Sequence, residues 1–186
     1  MSLQTIKTAQ ALTCFLFSAF VVSAMAISPT AVSAEEMDLS AVKVTAPDSW
    51  VQKQPRSSIV AYEYAAPASE GDSADGRFTV MAAGGDIQAN IDRWSGQFAA
   101  KDGEAKVTKV KAAGYDVSIV DISGTFVDTP RGFFGPKVNR EGYRMMGAIV
   151  DTSPNMRIYL KFYGPKKTVS DHEKAFMDMI EGMKKS

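Results

Sequence analysis

Apolar residues fall into three kinds of run along this chain. The first is continuous: Ala11 to Ala26 is apolar apart from Thr13, Ser18 and Ser23. The second recurs at helical spacing. Over Asp86 to Ala100, the residues Ile87, Ile91, Trp94 and Phe98 follow one another at offsets of 4, 3 and 4. That is one stripe of an amphipathic helix, with Asn90, Asp92 and Gln97 off it. Gly84 and Gly85 end the segment before it, and Asp86 can cap its first turn. A second stripe runs from Ser170 to Lys184 through Phe176, Met179, Ile180 and Met183, with Val169 placed to staple its start. Ser170 and Glu173 have the spacing of a capping box, and Lys184 and Lys185 suit the negative end of the helix dipole.

The third kind of run alternates or is apolar on both faces, and reads as strands. These are Val42 to Ala46, Ile59 to Ala65, Arg77 to Ala83, Ala105 to Ala112, Tyr115 to Val127, Tyr143 to Thr152 and Met156 to Tyr163. Ser69 to Gly76 reads as a polar hairpin loop. Gly114 and the Ser153–Pro154–Asn155 stretch read as further turns. In Tyr115 to Val127, Val117 and Ile119 fall on one face and Val120 and Ile122 on the other, as in a sheet buried on both sides. The expected fold is α+β: an antiparallel sheet of six to seven strands flanked by helices on both faces.

The continuous apolar run changes the picture of the N-terminus. Lys7 precedes it, Pro29 follows it, and Val32–Ser33–Ala34 places small residues ahead of Glu35. This is the pattern of a cleavable signal peptide over residues 1–34, with Ala26 as a second possible cut. The run is shorter than the ~20 residues that span a bilayer. Residues 35–186 are then one exported domain, periplasmic or secreted, of about 150 residues. Cys14, the only cysteine of the chain, lies inside the signal. The mature domain therefore has neither a disulfide nor a thiol.

Charge and chemistry narrow the function classes. The chain has 21 Lys and Arg against 21 Asp and Glu, so a nucleic-acid partner is not expected. Its single histidine, His172, sits in the predicted terminal helix and reads as a solvated surface residue. Metal sites and catalytic triads need converging partners that one histidine does not supply. Glu70, Asp72 and Asp75 lack the spacing of a calcium loop and suit an ordinary turn. Met81, Met145, Met146, Met156, Met177, Met179 and Met183 fall on helix and strand faces, where methionine fills core gaps rather than binding copper. No catalytic, cofactor-binding or metal residue is assigned. Asp121, within an apolar strand, reads as a partnered structural carboxylate. An enzyme using Asp121 and Tyr143 is the weaker alternative. Another is a small-molecule or lipid carrier with a pocket between sheet and helix, lined by Trp94, Phe98 and methionines.

The segment Asp128 to Gly142, DTPRGFFGPKVNREG, is a long strand-to-strand connection. It carries Phe133 and Phe134 beside Arg131, Lys137 and Arg140. Aromatic and arginine side chains are common anchors of protein interfaces, so these five are the candidate partner-binding residues. The competing reading is that both phenylalanines pack on the domain's own core.

Three stretches carry a resemblance. They are Asn90–Ile91–Asp92–Arg93–Trp94 with Gln97–Phe98, the strand Gly147–Ala148–Ile149–Val150, and Lys161 with Gly164–Pro165 before the terminal helix. Over about residues 40–184 the chain resembles the PsbP-like group of small exported proteins. That group is built as α/β/α sandwiches and includes extrinsic photosystem II subunits and Mog-type Ran-binding proteins. The resemblance implies a non-enzymatic accessory domain whose partner is another exported or membrane-associated protein. It transfers no functional residue, and it does not support a photosynthetic role here.

Overall fold

The computed structural model describes residues 35–130 and 135–186. The expected signal peptide and the candidates Arg131, Phe133 and Phe134 lie outside the described residues. The strands are β1 (Glu36–Asp38), β2 (Val42–Thr45), β3 (Val51–Lys53), β4 (Tyr62–Ala66), β5 (Gly76–Ala83), β6 (Phe98–Lys101), β7 (Lys106–Ala112), β8 (Tyr115–Asp128), β9 (Val138–Ser153), β10 (Met156–Pro165) and β11 (Lys184–Lys185). The helices are α1 (Ile87–Ser95), α2 (Lys166–Asp171) and α3 (Glu173–Glu181).

Most of the domain is one antiparallel sheet in the order β3-β4-β5-β10-β9-β8-β6, with β7 also pairing β8. A smaller sheet has the order β1-β2-β11. The α+β class therefore holds, with more strands than the six to seven expected. Strands β1, β3, β6 and β11 are two to four residues long, too short to show an alternation.

Two strands share one edge of β8. Residues of β7 pair with Tyr115 to Asp121, and residues of β6 pair with Gly124 to Phe126. Gly124 makes the changeover possible. Its φ is +146°, and a Cβ there would lie 2.1 Å from the Ala100 carbonyl oxygen.

Successive residues of β9 join different apolar clusters. Met146, Ala148 and Val150 pack with Val169, Phe176 and Ile180 of α2 and α3, and with Met37, Val42 and Val44 of the small sheet. Met145 and Ile149 pack with Ile91 and Trp94 of α1, with Phe98, and with Val120 and Ile122 of β8. Gly147 lies under Trp94: a Cβ there would come within 2.3 Å of the indole.

Several expected boundaries move. α1 is capped by Asp86, whose carboxylate accepts from the Ala89 N–H at 2.9 Å, but it ends at Ser95. Gly96 caps the end of α1, and Phe98 to Lys101 then pair with β8 as a strand. The terminal helix is two pieces, divided at His172. The expected Ser170–Glu173 capping box does not form. Ser170 lies inside α2 and donates to the Lys166 carbonyl, while Glu173 accepts from Arg144. Ile59 lies ahead of β4 and is 65% exposed. The connection after β8 is shorter than expected, since β9 begins at Val138.

Candidate functional site

The strongest concentration of unspent polar groups lies on the face of the large sheet that carries α1, beyond the C-terminal end of that helix. Strand alternation builds it. On β10, Tyr159 and Tyr163 pack with the α1 cluster, which places Lys161 on the same face. Arg77 of β5 is directly opposite Tyr163, and Phe126 of β8 is opposite Arg140 of β9. Arg56 and Ser57 come from the β3–β4 connection, and Gln97 follows α1.

These groups line a cleft with two lobes of about 360 and 400 Å³. Arg56, Arg77, Asp128, Pro130 and Tyr163 border both lobes. Lys161, Gln97 and Phe126 border the first, and Arg140 and Tyr143 the second.

Glu63, 3% exposed, anchors the floor. Its carboxylate receives both Nε and Nη2 of Arg77 at 2.8 Å, and the Arg56 backbone N–H at 3.2 Å. Burial alone would raise the Glu63 carboxyl. The Arg77 bonds, the Arg56 amide and both positive charges outweigh it and hold the group below the usual carboxylate range. The Arg77 Nη1 also donates to the Tyr163 hydroxyl at 2.7 Å. Arg77 is therefore engaged through all three of its nitrogens.

Other cations of the cleft are not. Arg56 approaches Glu63 only through Nε at 3.5 Å, and Arg140 approaches Asp128 only through Nε at 3.4 Å. Among the described residues, no hydrogen bond engages the Nη atoms of either. Lys161 donates to Gln97 Oε1 and lies over the rings of Phe126 and Tyr163, 5.1 and 4.7 Å from their centroids. Burial, then the nearby Arg77 and Arg93 cations, pull the Lys161 amine down to about 7, against the opposing pull of Asp128. Burial pushes the Tyr143 phenol up, and its ring stacks on Phe126 with centroids 6.2 Å apart. The result is a partly aromatic cleft with more donors than acceptors.

Of the candidates read from sequence, Arg140 lies in this cleft and Lys137 is exposed just ahead of β9. Arg56, Arg77, Lys161 and Tyr163 were not singled out as site residues. One signal existed: Lys161 is the only charged residue in the apolar stretch Ile158 to Phe162. Arg56 and Arg77 gave none, because only the sheet register brings them together.

The other candidates resolve differently. Asp121 accepts from both Nε and Nη2 of Arg144, at 2.9 and 2.8 Å, as a partnered carboxylate should. Arg144 Nη1 reaches Glu173 at 2.7 Å and Ser170 Oγ at 3.0 Å. Asp121 and Tyr143 lie on opposite faces, since Asp121 alternates with Val120 and Ile122 and Tyr143 packs with their cluster. They do not form a shared acid–base pair. Trp94, Phe98 and Met145, expected to line a carrier pocket, are buried against one another's cluster.

His172 is not the solvated residue expected. Its Nδ1 accepts from Trp50 Nε1 at 3.2 Å, and its Nε2 lies 3.0 Å from the Pro67 carbonyl. This corresponds to a neutral ring with the proton on Nε2. In the Ser69–Gly76 loop, Asp72 accepts from the Thr168 N–H at 2.8 Å and from its hydroxyl at 2.6 Å. Asp72 therefore caps α2 from outside, where Pro165 has no side chain able to do so.

No family model matches this chain, and no curated protein matches it in sequence. Solved structures do match in shape. Cyanobacterial PsbP (CyanoP) from Synechocystis sp. PCC 6803 superposes with a TM-score of 0.53 and 9% identity, over 92% of this chain and 99% of that one. The fold is PsbP-like. A second match is LpqN of Mycobacterium tuberculosis, a protein involved in cell envelope biogenesis. It has a TM-score of 0.51 and 10% identity over 83% of this chain and 86% of its own.

Proposed function

We propose that residues 35–186 form an exported, non-enzymatic accessory domain that binds another exported or membrane-associated protein through the β8–β9 connection and the cleft beside it. In this reading the PsbP-like domain is an α/β/α sandwich, with α1 over one face of the large sheet and α2 and α3 over the other. The observation that carries it is the cleft itself. Arg56 and Arg140 each present Nη atoms without a partner among the described residues, in a cleft with aromatic walls, and such groups anchor protein interfaces. Lys137 and Arg140 extend this basic surface along the start of β9, next to Arg131, Phe133 and Phe134 in the chain.

The carrier alternative is less well supported. The aromatic and methionine side chains it requires are already used in the α1 cluster, and the cleft has charged walls. The PsbP-like relatives support an accessory role, since the CyanoP and LpqN folds are shared over most of this domain.

The test is capture from a cell-envelope extract by the mature domain. The comparison is wild type against Phe133→Ala/Phe134→Ala and against Arg140→Gln. The expected outcome is one partner retained by wild type and lost by both variants. Equal recovery by all three removes the connection from the binding surface. Export is checked separately by N-terminal mass spectrometry of the secreted or periplasmic protein, which is expected to start at Glu35.

A further inference from the structure

We propose that the cleft between Arg56, Arg140, Lys161 and Tyr163 is a carboxylate-binding site. The carboxylate is carried by a small organic acid or by an acidic side chain of the partner. This deepens the binding role given above and rests on it.

The argument is a count of what the cleft's groups still lack. All three Arg77 nitrogens are engaged, by Glu63 and Tyr163. Among the described residues, the Nη atoms of Arg56 and Arg140 have no acceptor. The Tyr163 hydroxyl receives Arg77 and, among the described residues, has no acceptor for its own proton. Lys161 spends one of its three donors, on Gln97. The nearby acceptors are committed: Glu63 to Arg77 and Arg56, Asp128 to Arg140, and Asp75 to the Ala68 N–H.

An oxygen-rich anion would meet Arg56 and Tyr163 from either lobe, with Lys161 beside it in the first and Arg140 in the second. A planar carboxylate matches a guanidinium fork with two parallel N–H···O bonds. The Phe126, Tyr143 and Tyr163 rings give apolar walls to an organic body, and lobes of about 360 and 400 Å³ admit an acid the size of an amino-acid side chain. The charges facing Lys161 are Arg77 on β5, Arg93 on α1 and Asp128 on β8, with the polar Gln97 and Tyr163 beside it. Burial, and then the two arginines, disfavour its ammonium while the cleft holds no anion. A bound carboxylate reverses that balance, so binding takes up a fraction of a proton near neutral pH.

The experiment is an NMR and calorimetric titration of the mature domain. Its arms are succinate, a short Asp/Glu-rich peptide and inorganic phosphate. The expected result is saturable shifts at Arg56, Arg140 and Tyr163 with succinate or peptide, and with phosphate at least several-fold weaker. Arg56→Gln, at a side chain 61% exposed, is expected to weaken binding about tenfold, the effect of one lost charge-assisted bond. Proton uptake at pH 7.5 is expected in wild type and absent in Lys161→Met.

Succinate binding assigns a free acid, and peptide-only binding assigns the partner's side chain. No saturable shift with either, tighter binding of phosphate, or an Arg56→Gln affinity equal to wild type would overturn the proposal. Capture of a partner lost in Phe133→Ala/Phe134→Ala, with no saturable shift from succinate or peptide, leaves the accessory role standing while this site falls.

Discussion

Single positions show how tightly the two faces of the sheet are filled. Gly147 has no special backbone conformation; it is glycine because the Trp94 indole occupies the space of a side chain. Gly147→Ala is expected to destabilise the domain by ~1–3 kcal/mol through overpacking, read as a lowered urea midpoint with unchanged slope. Gly147→Ala/Trp94→Leu should be less impaired than the sum of its single variants, because the two share one volume. The sequence showed Gly147 in a strand and Trp94 on a helix stripe, yet nothing in it paired them. His172 is a similar case. A lone histidine near a helix start looks solvated until Trp50 and Pro67, far away in sequence, arrive at its two nitrogens.

Between elements, long-range polar bonds do what local capping signals suggested would be done nearby. Asp72 caps α2 across the hairpin loop, so Asp72→Ala is expected to cost about 1 kcal/mol, a shift measurable by thermal denaturation. Glu63 ties the β3–β4 connection to β5. Its folded-state affinity for protons is lowered, so its contribution is present above the unfolded-state value near 4.5 and is lost as pH falls through the lower folded-state value. Melting temperatures between pH 6 and 3 should fall less steeply for Glu63→Gln than for wild type. Both helices were legible from their apolar stripes. The end of α1 and the start of the terminal helix were not, because β6 completes a sheet edge and Arg144 takes Glu173 away from the capping box.

At the level of the whole molecule, β8, β9 and β10 contribute alternate residues to both apolar clusters. Neither cluster can dissolve without disordering strands that the other needs. The two tryptophans report on them separately, Trp50 in the cluster of α2 and α3 and Trp94 in that of α1. Trp50→Phe and Trp94→Phe each leave one reporter. In each variant, fluorescence and far-UV circular dichroism should give coincident urea transitions, as a single cooperative unit requires. Separated transitions within one variant would show that the clusters unfold independently.

The sequence by itself determined the α+β class, both helix stripes, the long central strands and the Asp86 cap. Each depends on residues within a few positions of one another, where the periods of 3.6 and 2 act directly. The partnered state of Asp121 was legible as well, because a carboxylate in an apolar strand needs a partner wherever it comes from. Tertiary structure alone decided the short edge strands, the two-piece terminal helix and the role of His172. It also assembled the cleft. Arg56, Arg77, Arg140 and Lys161 come from four separate segments; the sheet register places the last three on one face, and Glu63 holds the segment of Arg56 beside them. Their chemistry lies in the donors left over once Glu63, Asp128 and Gln97 have been assigned, and that remainder exists only after every partner is in place.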